Sequence, residues 1–278
     1  MSARGALALL ALLCLTVPAA GQPVSERRVR AAIDDAARGL GQAISGGSPL
    51  SAPSAATGGL GHFSIGASGT VTFMEIEDPT HEDGTVDFIL PTGTLTAAIG
   101  IAGGGDLPGG AGGFGAVDIL GKVGPVVARE EIEEGQPLYG LGARVGVLRE
   151  GALFPSVSVT AYRSWVDDLG WGEPEADEVS FTGDVGAWSF RADVSKKLLL
   201  VTPYAGVGYD RTSIEADYRI PASASTGGEE VRGSIDVSSG HSKAYAGLEL
   251  PLALLDVSVE LGRYDGGTFA AVGLQLVN

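Results

Sequence analysis

The chain has 278 residues, with 34 acidic against 18 basic side chains for a formal net charge of -16, 44 glycines and only 6% aromatics. That balance lacks the basic stripe that phosphates require, so no nucleic-acid partner is expected. The one cysteine, Cys14, lies in a segment expected to be removed, which leaves no disulfide, no thiol nucleophile and no Cys-based metal site.

The chain opens "MSARGALALLALLCLTVPAAGQP". Arg4 supplies a basic start, Ala6 to Val17 an apolar run, and Ala19 and Gly21 the small residues a signal peptidase reads. The expectation is a signal peptide over residues 1–21, cleaved before Gln22. The run is too short to span a bilayer comfortably as an anchor helix. Leu13 stands before Cys14 where a lipoprotein needs a small residue.

Residues 22–58 read as an amphipathic helix and a linker. Val29, Ile33, Ala36, Ala37, Leu40 and Ile44 recur at helical spacing. Ser25 is placed to cap the start, and Gly46, Gly47 and Pro49 end the pattern. "SPLSAPSAATGG" follows as a small-residue linker. Two readings stand: an ordinary amphipathic segment, or a plug folded into a barrel mouth.

From residue 59 the pattern changes to period two. Ten strand candidates follow, at 62–77, 85–101, 114–128, 137–149, 154–166, 179–195, 200–217, 232–250, 252–264 and 267–277. Pro91 interrupts the second, where "LTAAIGIAGG" also suits a helix. In "YGLGARVGVL", Tyr139, Leu141, Ala143, Val145 and Val147 oppose Gly140, Gly142, Arg144 and Gly146. In "LLDVSVELGRY", Leu255, Val257, Val259 and Leu261 oppose Asp256, Ser258, Glu260 and Gly262.

Connections alternate from the middle of the chain onward. "REGAL", "KKLLL" and "LPLAL" are short, whereas "REEIEEGQP", "DDLGWGEPEADEVS" and "RIPASASTGGEEVR" are long. That rhythm predicts an all-β fold: one closed, antiparallel, up-and-down transmembrane barrel over 59–278, of about ten strands (8–12), with short turns toward the periplasm.

The apolar faces have two possible partners, lipid or the core of a soluble sandwich. A sandwich core usually wants large side chains, but these faces mix Ala, Val and Leu, and the strands exceed the usual five or six residues. Lipid is the better fit. The opposite, lumen-facing set is then Lys122, Arg144, Arg191, Asp193, Asp210, Lys243, Glu249, Asp256 and Glu260, joined by Asp118. An Arg or Lys turned outward at the bilayer midplane would cost about 2–4 kcal/mol. Tyr139, Phe154, Trp165, Phe181 and Tyr264 sit near strand ends, as interfacial girdles require.

On "GGLGHFSIGASGTV", "LYGLGARVGVL", "VTPYAGVGYDRTSIEADY" and "GTFAAVGLQL", residues 59–278 resemble the bacterial outer-membrane β-barrel proteins, in a family without an assigned activity. The resemblance implies the outer membrane of a Gram-negative-type bacterium. It also implies outer-membrane lipid, lipopolysaccharide and the outer-membrane insertion machinery as partners. Such barrels commonly finish on an aromatic residue; this chain departs, ending "LQLVN" with Phe269 its last aromatic.

Chemistry-bearing patterns are sparse. His62 and Ser64 share a strand face, and outer-membrane lipid A deacylases resemble this in using a His and a Ser two apart, with an acid behind the His. No acid is paired with them by sequence, and a polar inner face is the plainer reading. Asp167, Asp168 and His81 have the residue types of omptin-like proteases, but nothing in the sequence joins them. Glu130, Glu131, Glu133 and Glu134, with Glu173, Glu175, Asp177 and Glu178, are oxygen donors that suit divalent cations, though acidic runs are mostly solvated loops. "GGGDLPGGAGGFG" has no Lys-Ser or Lys-Thr after it and reads as a turn. No cofactor is implied. The function expected is a passive narrow channel or small-solute carrier. The alternative is a closed structural or adhesive barrel presenting acidic loops to cations, lipopolysaccharide or a partner, and a third reading is a lipid-processing barrel enzyme using His62 and Ser64.

Overall fold

A computed structural model describes residues 26–48, 59–77, 85–106, 112–125, 136–171, 180–220, 231–252 and 254–277. One helix, α1 (Glu26–Ser45), precedes ten strands. These are β1 (Phe63–Glu77), β2 (Thr85–Asp106), β3 (Gly112–Pro125), β4 (Pro137–Leu148), β5 (Ser156–Trp171), β6 (Ser180–Ser195), β7 (Thr202–Ile220), β8 (Val231–Leu252), β9 (Leu255–Tyr264) and β10 (Gly267–Val277). Each pairs antiparallel with its sequence neighbours, and β1 pairs with β10 to close the sheet into a barrel. Closure gives every strand two partners, which removes the sheet edges that lipid cannot hydrogen-bond.

The second strand is present as a strand and contains Pro91, and the expectation it corrects is its end: it runs on to Asp106, beyond residue 101. Pro91 is paired with Val71 of β1, while the ladder to β3 begins only at Leu95. Among the described residues Pro91 has a partner on one flank alone, where a residue without an N–H is tolerated.

Burial alternates as the sequence does. In β4, Tyr139, Leu141, Val145 and Val147 are exposed, whereas Arg144 is buried. In β9, Val259 and Leu261 are exposed while Ser258 and Glu260 are buried. Leu248, Leu250, Val272, Leu274 and Leu276 continue the exposed apolar surface around the wall. On β9 the apolar outer stretch runs from Leu255 to Leu261 and ends at the exposed Arg263. Those eight steps rise about 26 Å along the strand, or about 20 Å along a barrel axis tilted ~40° from it. That is close to the ~25 Å band of a membrane barrel. Beyond the band the strands continue toward the long connections with polar outer residues such as Glu215, Asp217 and Asp236.

The aromatics split between two roles. Tyr139 is exposed on the outer wall beside Trp165, with ring centroids 6.1 Å apart, and Phe154 is exposed. Tyr264 does not join them, for it is buried on the inner face, where its hydroxyl donates to the Phe73 carbonyl at 3.3 Å. The parity of β9, with Ser258 and Glu260 inward, carries Tyr264 inward too.

The helix lies inside the barrel. Ala37, Leu40 and Ile44 pack on an apolar patch of the inner wall formed by Leu138, Val166, Val185, Ala187, Ile214 and Ala216. Gly39 abuts Met74, and the amide of Gly47 donates to Thr70 Oγ1 at 3.2 Å. Eight helical residues descend about 12 Å, and the four strand residues from Met74 to Thr70 about 13 Å. The helix therefore runs down the bore, with its start at the long-connection mouth and its end midway.

Candidate functional site

The candidate site is the interior where the helix ends. Gly46 takes a left-handed φ of 74° and donates its amide to the Gln42 carbonyl at 2.8 Å, the αL form of helix termination. Gln42 Nε2 answers by donating to the Gly46 carbonyl at 2.9 Å. The last carbonyls of a helix otherwise lack partners and carry the negative end of its dipole. Here Lys122, from β3, donates its ammonium to the carbonyls of Ile44 at 2.7 Å and Ser45 at 2.9 Å. The same ammonium lies 5.1 Å from the centre of the Tyr162 ring. One step further, Arg191 donates to the carbonyl of Gly47.

Two charge clusters brace these anchors. Arg191 meets Glu260 at 3.2 Å and Asp193 at 3.5 Å, and its Nε donates to Tyr245 Oη at 2.8 Å. Tyr245 donates in turn to Asp193 at 2.6 Å, and the guanidinium stacks 3.8 Å over the Tyr245 ring. In the second cluster Asp210 accepts from Lys243 at 2.7 Å, from Ser189 at 2.6 Å and from Ser45 at the helix end at 2.8 Å. His241 Nε2 stands 3.3 Å from the same carboxylate, at ion-pair distance. A separate pair lies on β3 and β4, where Arg144 donates to Asp118 through Nε at 3.0 Å and through its terminal nitrogen at 2.7 Å.

Of the nine residues named from sequence for the lumen, Lys122, Arg144, Arg191, Asp193, Asp210, Lys243, Glu249 and Glu260 are buried. Asp256 is half-buried near the start of β9, opposite Gln275. The structure brings Arg191, Asp193 and Glu260 together, and Asp210 with Lys243. Arg144 is not part of either group. His62 is half-buried just ahead of β1 and Ser64 is buried in it. Among the described residues no hydrogen bond joins either side chain to the other or to a carboxylate. Asp168 has a left-handed φ of 52° and its amide donates to Asp184 at 2.9 Å. His81, the acidic run from Glu130 to Glu134 and the run from Glu173 to Glu178 lie outside the described residues. No cluster of three metal-ligating side chains occurs among the described residues.

Sequence reasoning missed the helix as the counterpart of Lys122 and Arg191. It also missed Tyr162, Tyr245 and the apolar inner patch. A signal did exist: Leu138, Val166, Val185, Ile214 and Ala216 fall in the inward parity of their strands, yet are apolar. An aqueous bore gives no reason for that, whereas an apolar helix face inside it does.

A sheet closed on itself, apolar outside over a bilayer-sized band and charged within, defines a transmembrane β-barrel of the outer-membrane type. No family model and no curated relative matches the chain. Among solved structures, it is similar to Ail, the attachment invasion locus protein of Yersinia pestis, at 13% identity and a TM-score of 0.32, over 78% of this chain and 98% of that one. It is similar to the β domain of the Bordetella autotransporter BrkA at 13% identity and a TM-score of 0.37, over 79% and 100%. A third similar structure, the Pseudomonas putida toluene transporter TodX, has 8% identity and a TM-score of 0.25, over 86% and 93%. These likenesses are of fold alone.

Proposed function

We propose that the protein is a closed outer-membrane barrel whose bore is stopped by its own N-terminal helix. In this reading it serves as a structural or adhesive platform that holds its long, acidic connections outside the cell. The observation that carries the reading is the anchoring of the helix end in mid-bore by Lys122 and Arg191. A helix is about 10–12 Å across with its side chains, and a barrel of this size has a lumen only a little wider than its own side chains fill. A passive channel or small-solute carrier requires that helix to leave, which would strand the charges now bonded to it.

On this account residues 1–21 direct export and are removed before Gln22, and the short turns face the periplasm. The acidic runs from Glu130 and from Glu173 meet divalent cations, lipopolysaccharide or a partner, and the insertion machinery delivers the barrel to the membrane. Planar-bilayer recording tests the closed bore. The folded full chain is expected to pass no steady current, and a chain lacking residues 26–47 is expected to pass current. Steady current through the intact protein would overturn the closed reading in favour of the channel.

A further inference from the structure

We propose that Arg163 and Arg211, set on either side of Trp188 on the outer wall, bind the phosphate of an outer-leaflet glycolipid whose acyl chains lie down the apolar band beneath. The inference rests on the outer-membrane reading and on the long connections facing outward.

The register makes the juxtaposition. Arg163 of β5 is paired with Trp188 of β6, and Trp188 is paired with Arg211 of β7. All three are exposed, while Tyr162 and Ser164, Ala187 and Ser189, and Asp210 and Thr212 beside them are buried. The two arginines therefore leave the sheet on its lipid side, about 10 Å apart across two strand spacings. The Arg163 guanidinium lies 5.7 Å from the Trp188 ring centre, and Trp188 stacks on Phe190 at 6.3 Å with planes 12° apart. Among the described residues Arg211 makes one long bond, from Nε to Ser238 Oγ at 3.4 Å.

An arginine on a lipid-facing wall needs a reason. Its cost is about 2–4 kcal/mol at the midplane and falls to about 0–1 kcal/mol at the interface. Here both stand at the upper edge of the band, with Val159, Ala161, Val194 and Val207 below them. A guanidinium fork matches a phosphate through paired N–H donors. Of the exposed acids of this wall, Asp265 has its carboxylate engaged by the Ser242 amide at 2.8 Å, while Asp184, Glu215 and Asp236 form a separate row four residues further from the band. That separation is about 13 Å along the strand, beyond the ~8 Å screening length of physiological salt. Asp167 and Asp168 lie on the same far side. The site is thus vertically ordered as an amphiphile is: aliphatic, then aromatic and cationic, then acidic. An anionic headgroup with several acyl chains meets the first two layers, and its phosphate stops below the third.

The test is calorimetric titration of the folded full chain in detergent with lipopolysaccharide, with dephosphorylated lipopolysaccharide and with phosphatidylglycerol. Wild type is expected to bind lipopolysaccharide, and to bind the dephosphorylated form at least about tenfold more weakly for want of charge-assisted bonds; phosphatidylglycerol, with one singly charged phosphodiester and two acyl chains, is expected to bind more weakly than lipopolysaccharide. Arg163→Gln with Arg211→Gln is expected to lose about tenfold, and the Lys pair, which keeps charge without the fork, to lose less. Arg263→Gln, an exposed arginine elsewhere on the band edge, is expected to stay within about twofold. Equal binding by the Gln pair and wild type, equal binding of the dephosphorylated lipid or of phosphatidylglycerol, or an equal loss in Arg263→Gln would each overturn the proposal. Heat-modifiable gel migration of every variant reports the barrel separately, so a failed site and a failed barrel give different results.

Discussion

The ammonium of Lys122 on β3 donates to the carbonyl of Ser45, the last residue of the lumen helix, at 2.9 Å. This contact is one of several that join the helix to the barrel wall. A cation at the C-terminal end of a helix also opposes the helix dipole, worth about 0.3–1 kcal/mol at exposed sites and up to about 2 kcal/mol when partly buried.

Lys122→Met keeps the length of the side chain and removes its donors. Two buried carbonyls, of Ile44 and Ser45, lose their cation, at about 1–3 kcal/mol for a group left unsatisfied. The expected result is faster amide exchange over residues 36–47 with no change in the strands. Unchanged exchange in the helix would show that the contact does not hold it.

Gly41 sits where the helix touches the wall. A β-carbon there would overlap the hydroxyl oxygen of Thr212 and lie 2.9 Å from its β-carbon, closer than side-chain atoms pack. Gly41→Ala is therefore expected to displace the helix and lower the thermal midpoint, by about 1–3 kcal/mol of overpacking. Thr212→Ala, which removes the overlapping hydroxyl but keeps the β-carbon, should restore it in part, and Thr212→Gly more fully. Rescue by neither would place the strain elsewhere.

Asp210 holds Lys243, Ser189 and Ser45 at once. Asp210→Ala leaves the Lys243 charge buried and alone, which costs about 3–5 kcal/mol. Adding Lys243→Met removes that charge and should return more than half of the loss. Urea unfolding from lipid vesicles measures both, and a double variant no more stable than the single would contradict the pairing.

The proposed orientation, with the long connections outside the cell, sets the sidedness of two positions. Asp34 is half-exposed near the long-connection mouth, while Lys197 lies in the short turn between β6 and β7. Single cysteines at these two positions, in a Cys14→Ser background, are expected to differ on intact cells: an impermeant maleimide labels Asp34→Cys and leaves Lys197→Cys unlabelled. The reverse pattern would invert the barrel in the membrane.

Most of the barrel was legible because a strand records its two environments residue by residue. The alternation at Tyr139–Val147 and Leu255–Leu261 is local information, and the β4 and β9 faces follow from it directly. Pro91 weakened the second strand's pattern without ending it, because a missing N–H says nothing about which flank of the strand is paired. The plug was only half legible. Ala37, Leu40 and Ile44 announce an apolar helix face, but the groups that Lys122 and Arg191 grip are backbone carbonyls of Ile44, Ser45 and Gly47. Backbone atoms are the same in every residue, so such a contact leaves no mark in the sequence. Tyr264 likewise looks like a girdle residue from its place near a strand end, and only the parity of Ser258 and Glu260 before it shows that it turns inward.

The account stands most directly on which way the wall faces. Single cysteines at Val259 and Ser258, adjacent on β9 and respectively exposed and buried, can carry a small fluorophore in a protein reconstituted into bilayers. Quenchers attached to lipid tails are expected to dim the label at Val259 strongly and leave the label at Ser258 nearly untouched, with water-soluble quenchers reaching neither well. Strong quenching of the Val259 label from water, or stronger lipid quenching at Ser258 than at Val259, would contradict a barrel with its aliphatic face in lipid and its helix within.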